Sequence, residues 1–183
     1  IYDDLEERLR YQQDGIHFPI DLDYMMSSKS FIQAPLDEEY NINGDTVIFK
    51  KVNHPGGAYA VKIISGDKTC IYGSDAEYNL KVMDNIIEYI DFFKNADVLI
   101  FDTQYTLKES LNKIDWGHSS SSIAIDIASS AGVGKLVLFH HEPMYDDFTM
   151  NQVYEKAEKY RSVMASGSSM EIIPAFEDEE III

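Results

Sequence analysis

The chain has 183 residues, of which 45% are apolar and 12% aromatic, enough for one domain around a real core and too apolar for a disordered chain. Its 32 acidic residues outweigh 15 basic ones, for a net charge of −17. That field repels phosphate backbones and anionic lipid, and it argues against nucleic acid as a partner over any broad face.

"YDDLEERLRYQQ" (Tyr2 to Gln13) carries its acids first and Arg8 and Arg10 later, the order that suits a helix dipole. A Pro-containing loop, "GIHFPIDLDYM", follows. "GDTVIFKKVNH" (Gly44 to His54) reads as a turn and a strand, and "AYAVKIIS" and "DKTCIYGSD" as two more strands around a "GD" hairpin turn. In "YNLKVMDNIIEYIDFFKN" the apolar residues Leu80, Met83, Ile86, Ile87, Ile90 and Phe93 fall at helical spacing and predict one buried face. "ADVLIFD" is a short strand ending on Asp102. "SSSSIAIDIASSAGVG" is a helix capped by Ser and closed by Gly132 or Gly134. "KLVLFHH" is the next strand, "NQVYEKAEKYRSVMAS" a further helix, and "MEIIPAF" and "EEIII" close the chain as strands. Strands first, then strand–helix alternation, predict an α/β fold with helices covering sheet faces.

No apolar run approaches the ~18 residues that cross a bilayer, and no signal peptide is visible. The single Cys70 excludes an internal disulfide and reads as a small buried hydrophobe in a reducing cytosol, so the expected location is cytoplasmic. Ile1 stands where a complete chain would begin with Met, which reads as an excised or partial chain.

Polar residues recur at strand ends: His54, Asp75, Asp102 and His140, with His118 just before a helix. Imidazole nitrogens and carboxylate oxygens suit zinc, manganese or iron. Spacing alone does not establish a metal site, since H-E-x-x-H, C-x-x-C and H-x-H-x-D-H are all absent from the sequence. On periodicity alone, two or three of these residues read as ordinary hydrogen-bonding loop residues. His141, one residue on from His140, should point to the opposite face of its strand. Ser74 and Ser119 read as turn and cap residues, Trp116 as a packing anchor, and His17 as a structural or exposed loop residue.

The blocks "NHPGGAYAVKI", "YGSDAEY", "ADVLIFDTQYTLKE", "WGHSSSSIAIDIASSAGVGKLVLFHHEP" and "PAFED", in this order over roughly Thr46 to Glu177, resemble the metallo-β-lactamase-fold hydrolases. The resemblance is to the branch of tRNA 3′-end endonucleases and related phosphodiesterases. It implies an αββα sandwich with metals at one edge between two sheets. By position, His54 is implied as a ligand of one metal, Asp75 as the bridging carboxylate and His140 as a ligand of the second. The implied cofactors are two divalent transition-metal ions, zinc foremost, with manganese and iron as alternatives. His118 is implied as proton donor to the leaving group, with Asp102 orienting it where the tRNA-processing branch has Glu.

The family's H-x-H-x-D-H block normally lies before the point where this sequence starts. Residues 1–183 are therefore expected to be the C-terminal portion of one hydrolase domain, its first sheet segment absent and its missing N-terminal half a partner. The implied activity is hydrolysis of a phosphodiester or similar small ester through metal-activated hydroxide, with a small-molecule substrate, no membrane, and a homodimer as one way to cover apolar surface. The competing reading is a non-catalytic binding or regulatory module on the same fold. A tRNA-processing nuclease ranks lower, on the acidic charge.

Overall fold

The computed structural model describes residues 5–78 and 86–183. The chain divides into two compact units, residues 1–35 and residues 36–183.

The first unit holds helix α1 (Leu5–Gln12) and one 3-10 turn at Leu22–Tyr24. Glu6 and Glu7 lie in the first turn of α1 and Arg10 in its last, matching the helix dipole. Arg10 pairs with Glu6 at 2.8 Å, one turn back, and with Asp23 at 2.9 Å. The 3-10 turn is capped by Asp21, whose carboxylate accepts from the Asp23 N–H. It falls inside the stretch that reads as plain loop.

The second unit is one seven-stranded sheet in sequential order, β1 to β7. Strands β1 (Glu39–Ile42), β2 (Asp45–Val52), β3 (Ala58–Ser65) and β4 (Lys68–Gly73) are antiparallel neighbours. The β3–β4 turn falls at Gly66, whose φ of +60° suits a residue without a Cβ. From β4 onward the ladder is parallel, through β5 (Val98–Asp102), β6 (Lys135–Phe139) and β7 (Glu171–Pro174). Parallel neighbours need crossovers, and helices α2 (Ile86–Phe93), α4 (Ser121–Ala131) and α5 (Asp147–Met164) lie in those connections, with the short α3 (Leu107–Asn112) ahead of α4.

Alternate strand residues meet the helices. Ala60, Ile71, Leu99, Phe101, Leu136, Leu138 and Ile172 join Phe93 of α2 and Ala124, Ile125 and Ala128 of α4 in one buried core. Each fully buried Leu, Ile or Phe there contributes about 1.5–3 kcal/mol relative to exposure. The small residues on the buried side of α4 let that helix lie close on β5 and β6, which carry the site. One sheet with its helical layer is half of an αββα sandwich, so the α/β expectation holds.

Four expectations change in detail. On α2, Ile87 is 68% exposed, because it shares its side of the helix with Asp91 and Lys94, while Tyr89 and Phe92 are buried with Phe93. Leu80 and Met83 of the expected helix lie outside the described residues. The closing "EEIII" is not a strand: Ile182 is exposed, and its carbonyl accepts from Lys135 Nζ at 2.6 Å. Strand β1 and helix α3 occur where the sequence reads as connection.

Candidate metal and proton-transfer site

The sheet order explains why polar residues recur at strand ends. β4, β5 and β6 are parallel neighbours, and β2 runs in the same sense across the antiparallel β3. The C-terminal ends of all four therefore lie along one edge. His54 follows β2, Asp75 follows β4, Asp102 ends β5 and His140 follows β6, which is the edge where open α/β sheets place their sites.

Asp102 is fully buried, and its carboxylate is saturated with donors. Oδ2 faces His118 Nδ1 at 2.7 Å and accepts from the Ala76 N–H at 3.3 Å; Oδ1 accepts from the N–H groups of Ser119 at 3.2 Å and Gln104 at 3.3 Å. With Nδ1–H donating to the carboxylate, Nε2 is the nitrogen left to serve a substrate. Asp75 and His140 meet beside this pair, Oδ1 to Nδ1 at 3.2 Å, and both have φ near +60°. Backbone in that region is costly for residues other than Gly, and such strain clusters at functional sites. Ser74 Oγ also reaches His140 Nδ1, at 3.2 Å. The His118 and His140 rings lie 4.7 Å apart.

Donor atoms of Asp75, Asp102, His118 and His140 all lie within 4.8 Å of one another. This nitrogen and oxygen set fits a divalent transition metal, with Asp75 and His140, its most exposed members, the ones that would hold it. His54 stands outside this group. Its ring meets His118 edge-on at 5.4 Å, and its Nδ1 accepts from the Gly56 N–H at 3.3 Å. Gly117 makes room for it: a Cβ there would sit 2.4 Å from His54 Cδ2, and φ at Gly117 is +94°. The structure thus brings together four of the five residues singled out from the sequence and sets the His54 ring edge-on to His118.

β6 ends at Phe139, so strand alternation does not govern His140 and His141. His141 is half-buried, and burial pushes its imidazole toward the neutral form; its Nε2 has no hydrogen-bond partner among the described residues. His17 pairs with Asp14 at 2.8 Å within the first unit. Ser119 bridges two loops, accepting from the Tyr78 N–H and donating to the Ala76 carbonyl, and the helix cap falls to Ser120.

Sequence reasoning misses two supporting groups. Glu77 is buried, and its oxygens accept from the N–H of Asp115 at 3.0 Å and of Gly117 at 2.9 Å, which fixes the loop ahead of His118. Lys113 lies over the Tyr105 ring, 3.9 Å from its centroid, and pairs with Glu142 at 3.3 Å. Neither stands at a strand end, so the pattern that exposed the others passes over them. Trp116, read as a packing anchor, is 59% exposed. A cavity of about 680 Å³ lies beside His118, walled by aliphatic side chains such as Ile90, Leu111, Ile123 and Ile127.

No protein-family model matches the chain. A protein described as a "probable metallo-hydrolase", YhfI of Bacillus subtilis, is 31% identical over 119 residues, 65% of this chain and 45% of that protein. Ribonuclease Z of Thermoplasma acidophilum is 30% identical over 138 residues, 69% of this chain and 42% of that enzyme. The crystal structure of the metallo-β-lactamase fold protein YhfI superposes with a TM-score of 0.63 and 25% identity, over 82% of this chain and 56% of that one. The sheet and its helical layer are those of the metallo-β-lactamase fold. Within that fold, the relatives place the chain on the branch that holds YhfI and ribonuclease Z. The chain spans under half the length of these curated relatives.

These relatives correct one expectation. The net charge of −17 argued against nucleic acid, yet several similar proteins bear the name ribonuclease Z. The physical reason is range. Salt screens exposed charges beyond about 8 Å, so a sum over the whole chain does not govern how a few local groups hold one phosphodiester. Among the described residues, no helix is long and apolar enough to cross a membrane.

Proposed function

We propose that this chain supplies part of the metal site and the proton donor of a metal-dependent phosphodiester hydrolase. The observation that carries the reading is the pairing of a buried Asp102–His118 dyad, at 2.7 Å, with an adjacent Asp75–His140 pair, at 3.2 Å. Divalent ions, zinc foremost, would there lower the pKa of water and neutralise charge on a phosphoryl group. Asp75 and His140 are the residues assigned to hold them, with His54 contributing only if its ring leaves Gly56 and turns toward the group.

The remaining chemistry belongs to the chain. Asp102 fixes the His118 tautomer and stabilises the imidazolium. His118 donates the Nε2 proton to the leaving oxygen as the P–O bond breaks, so that an alcohol departs in place of a poorly leaving alkoxide. The names of the relatives make an RNA phosphodiester the first natural substrate to try.

The test uses the intact protein with bis(p-nitrophenyl) phosphate and with a short oligoribonucleotide. Turnover abolished by a chelator and restored by zinc or manganese supports the reading. Turnover indifferent to chelation sinks it, and no turnover of either substrate by metal-loaded protein leaves a binding module.

A further inference from the structure

Trp116 is the sole tryptophan of the chain, and it stands two residues before His118. Its loop is held firmly. The Glu77 carboxylate accepts from the N–H on either side of it, at Asp115 and Gly117, and the Trp116 N–H donates to the Lys113 carbonyl at 3.2 Å. Asp115 and Gly117 both have positive φ, which turns the backbone sharply around this residue. The backbone is gripped while the indole remains 59% exposed.

A cation lies beside it. Lys113 Nζ is 5.4 Å from the indole and 3.9 Å from the Tyr105 ring, and the Tyr105 ring lies 6.0 Å from that of His118. Glu142 engages one of the three ammonium protons and holds the side chain in place. An open aromatic face next to a fixed ammonium is the combination that single-stranded nucleic acid uses, the base stacking and its phosphate meeting the cation. A purely apolar ligand would leave the ammonium idle, and a free phosphate would leave the indole idle.

We infer that Trp116 and Lys113 form a nucleotide platform beside His118, taking the base and the phosphate next to the scissile bond. The inference rests on the phosphodiesterase reading for the meaning of "scissile", but binding itself does not. With one cation on a strongly acidic chain, the platform serves one nucleotide and not a long tract.

Trp116 is the only tryptophan of these 183 residues, and the difference in emission between the unaltered protein and Trp116→Phe isolates its signal. Metal-loaded intact protein carrying His118→Ala is titrated with a short oligoribonucleotide. Saturable quenching is expected. Lys113→Met should weaken the binding and lower the salt slope by about one unit or slightly less. In turnover by the otherwise unaltered protein, Trp116→Ala should raise KM for the oligoribonucleotide by about 5- to 150-fold, with most of the loss recovered by Trp116→Phe. Emission indifferent to RNA overturns the platform, as does a Trp116→Ala defect confined to kcat. Quenching without turnover in the active protein would uphold the platform and fail the hydrolase reading, so the two stand or fall separately.

Discussion

Asp102 shows how much one side chain can organise. Its carboxylate is buried, accepts three backbone N–H groups and pairs with His118 at 2.7 Å. Asp102→Asn keeps the shape but replaces one acceptor oxygen with an NH2 donor, so it should lower turnover by misplacing the His118 proton and should also lower stability. His118→Ala should cut turnover by about 10²- to 10⁴-fold with metal content unchanged; steady-state rates and elemental analysis on one preparation check both parts.

Glu109 gives a pH dependence away from the metal group. Burial pushes its carboxyl up, but bonds from Thr106 and from the Tyr145 hydroxyl outweigh that and hold it below its ordinary range. The Tyr145 hydroxyl is pushed well above its usual value, by burial first and by Glu109 next. A carboxyl depressed in the folded state stabilises above its unfolded pKa, and the contribution disappears as pH falls through the folded value. Urea midpoints of the unaltered protein and Glu109→Gln should therefore differ at neutral pH and converge as pH falls below the ordinary carboxyl range.

At the scale of elements, the loop from α3 into α4 sets the site. Gly117 must have no side chain, since a Cβ would stand 2.4 Å from His54 and 2.7 Å from Pro55. Gly117→Ala also forces Ala into φ +94°, so it should cost about 1–3 kcal/mol from backbone strain alone and push His54 off His118. Chemical denaturation reads the cost, and the chemical shifts of the His54 ring read the displacement. Ser120 caps α4 through the Ile123 N–H, and Ser120→Ala should cost about 1 kcal/mol.

Legibility followed the same elements. Helix α4 was plain because a Ser cap, small apolar residues and Gly132 at φ +70° are all local signals. α3 carries a capping box, Thr106 with Glu109, but buries none of its six residues, so periodicity passes over it. "EEIII" misled because branched apolar residues favour strands only where a neighbour pairs with them. Asp75, Asp102 and His140 could be picked out since parallel strands deliver them to one edge. Glu77 and Lys113 act through loops whose partners lie 38 and 29 residues away, and no local pattern reports that.

For the whole molecule, the parallel ladder β4–β5–β6 is what converts scattered residues into a site. β5 and β6 pack beneath α4 with β4 beside them, and the ends of these three strands bring Asp102 and, just beyond, Asp75 and His140 to one edge. The acidic charge sets the far field, and the local chemistry sits in a few polar and aromatic groups along one edge.

The measurement that bears most directly on this account is transition-metal content of the intact protein, compared among the unaltered chain, Asp75→Ala, His140→Ala and His118→Ala. The account predicts bound metal in the unaltered protein and in His118→Ala, and its loss from the Asp75 and His140 variants. Metal retained by Asp75→Ala and His140→Ala, or lost from His118→Ala alone, would contradict the assignment of ligands and proton donor.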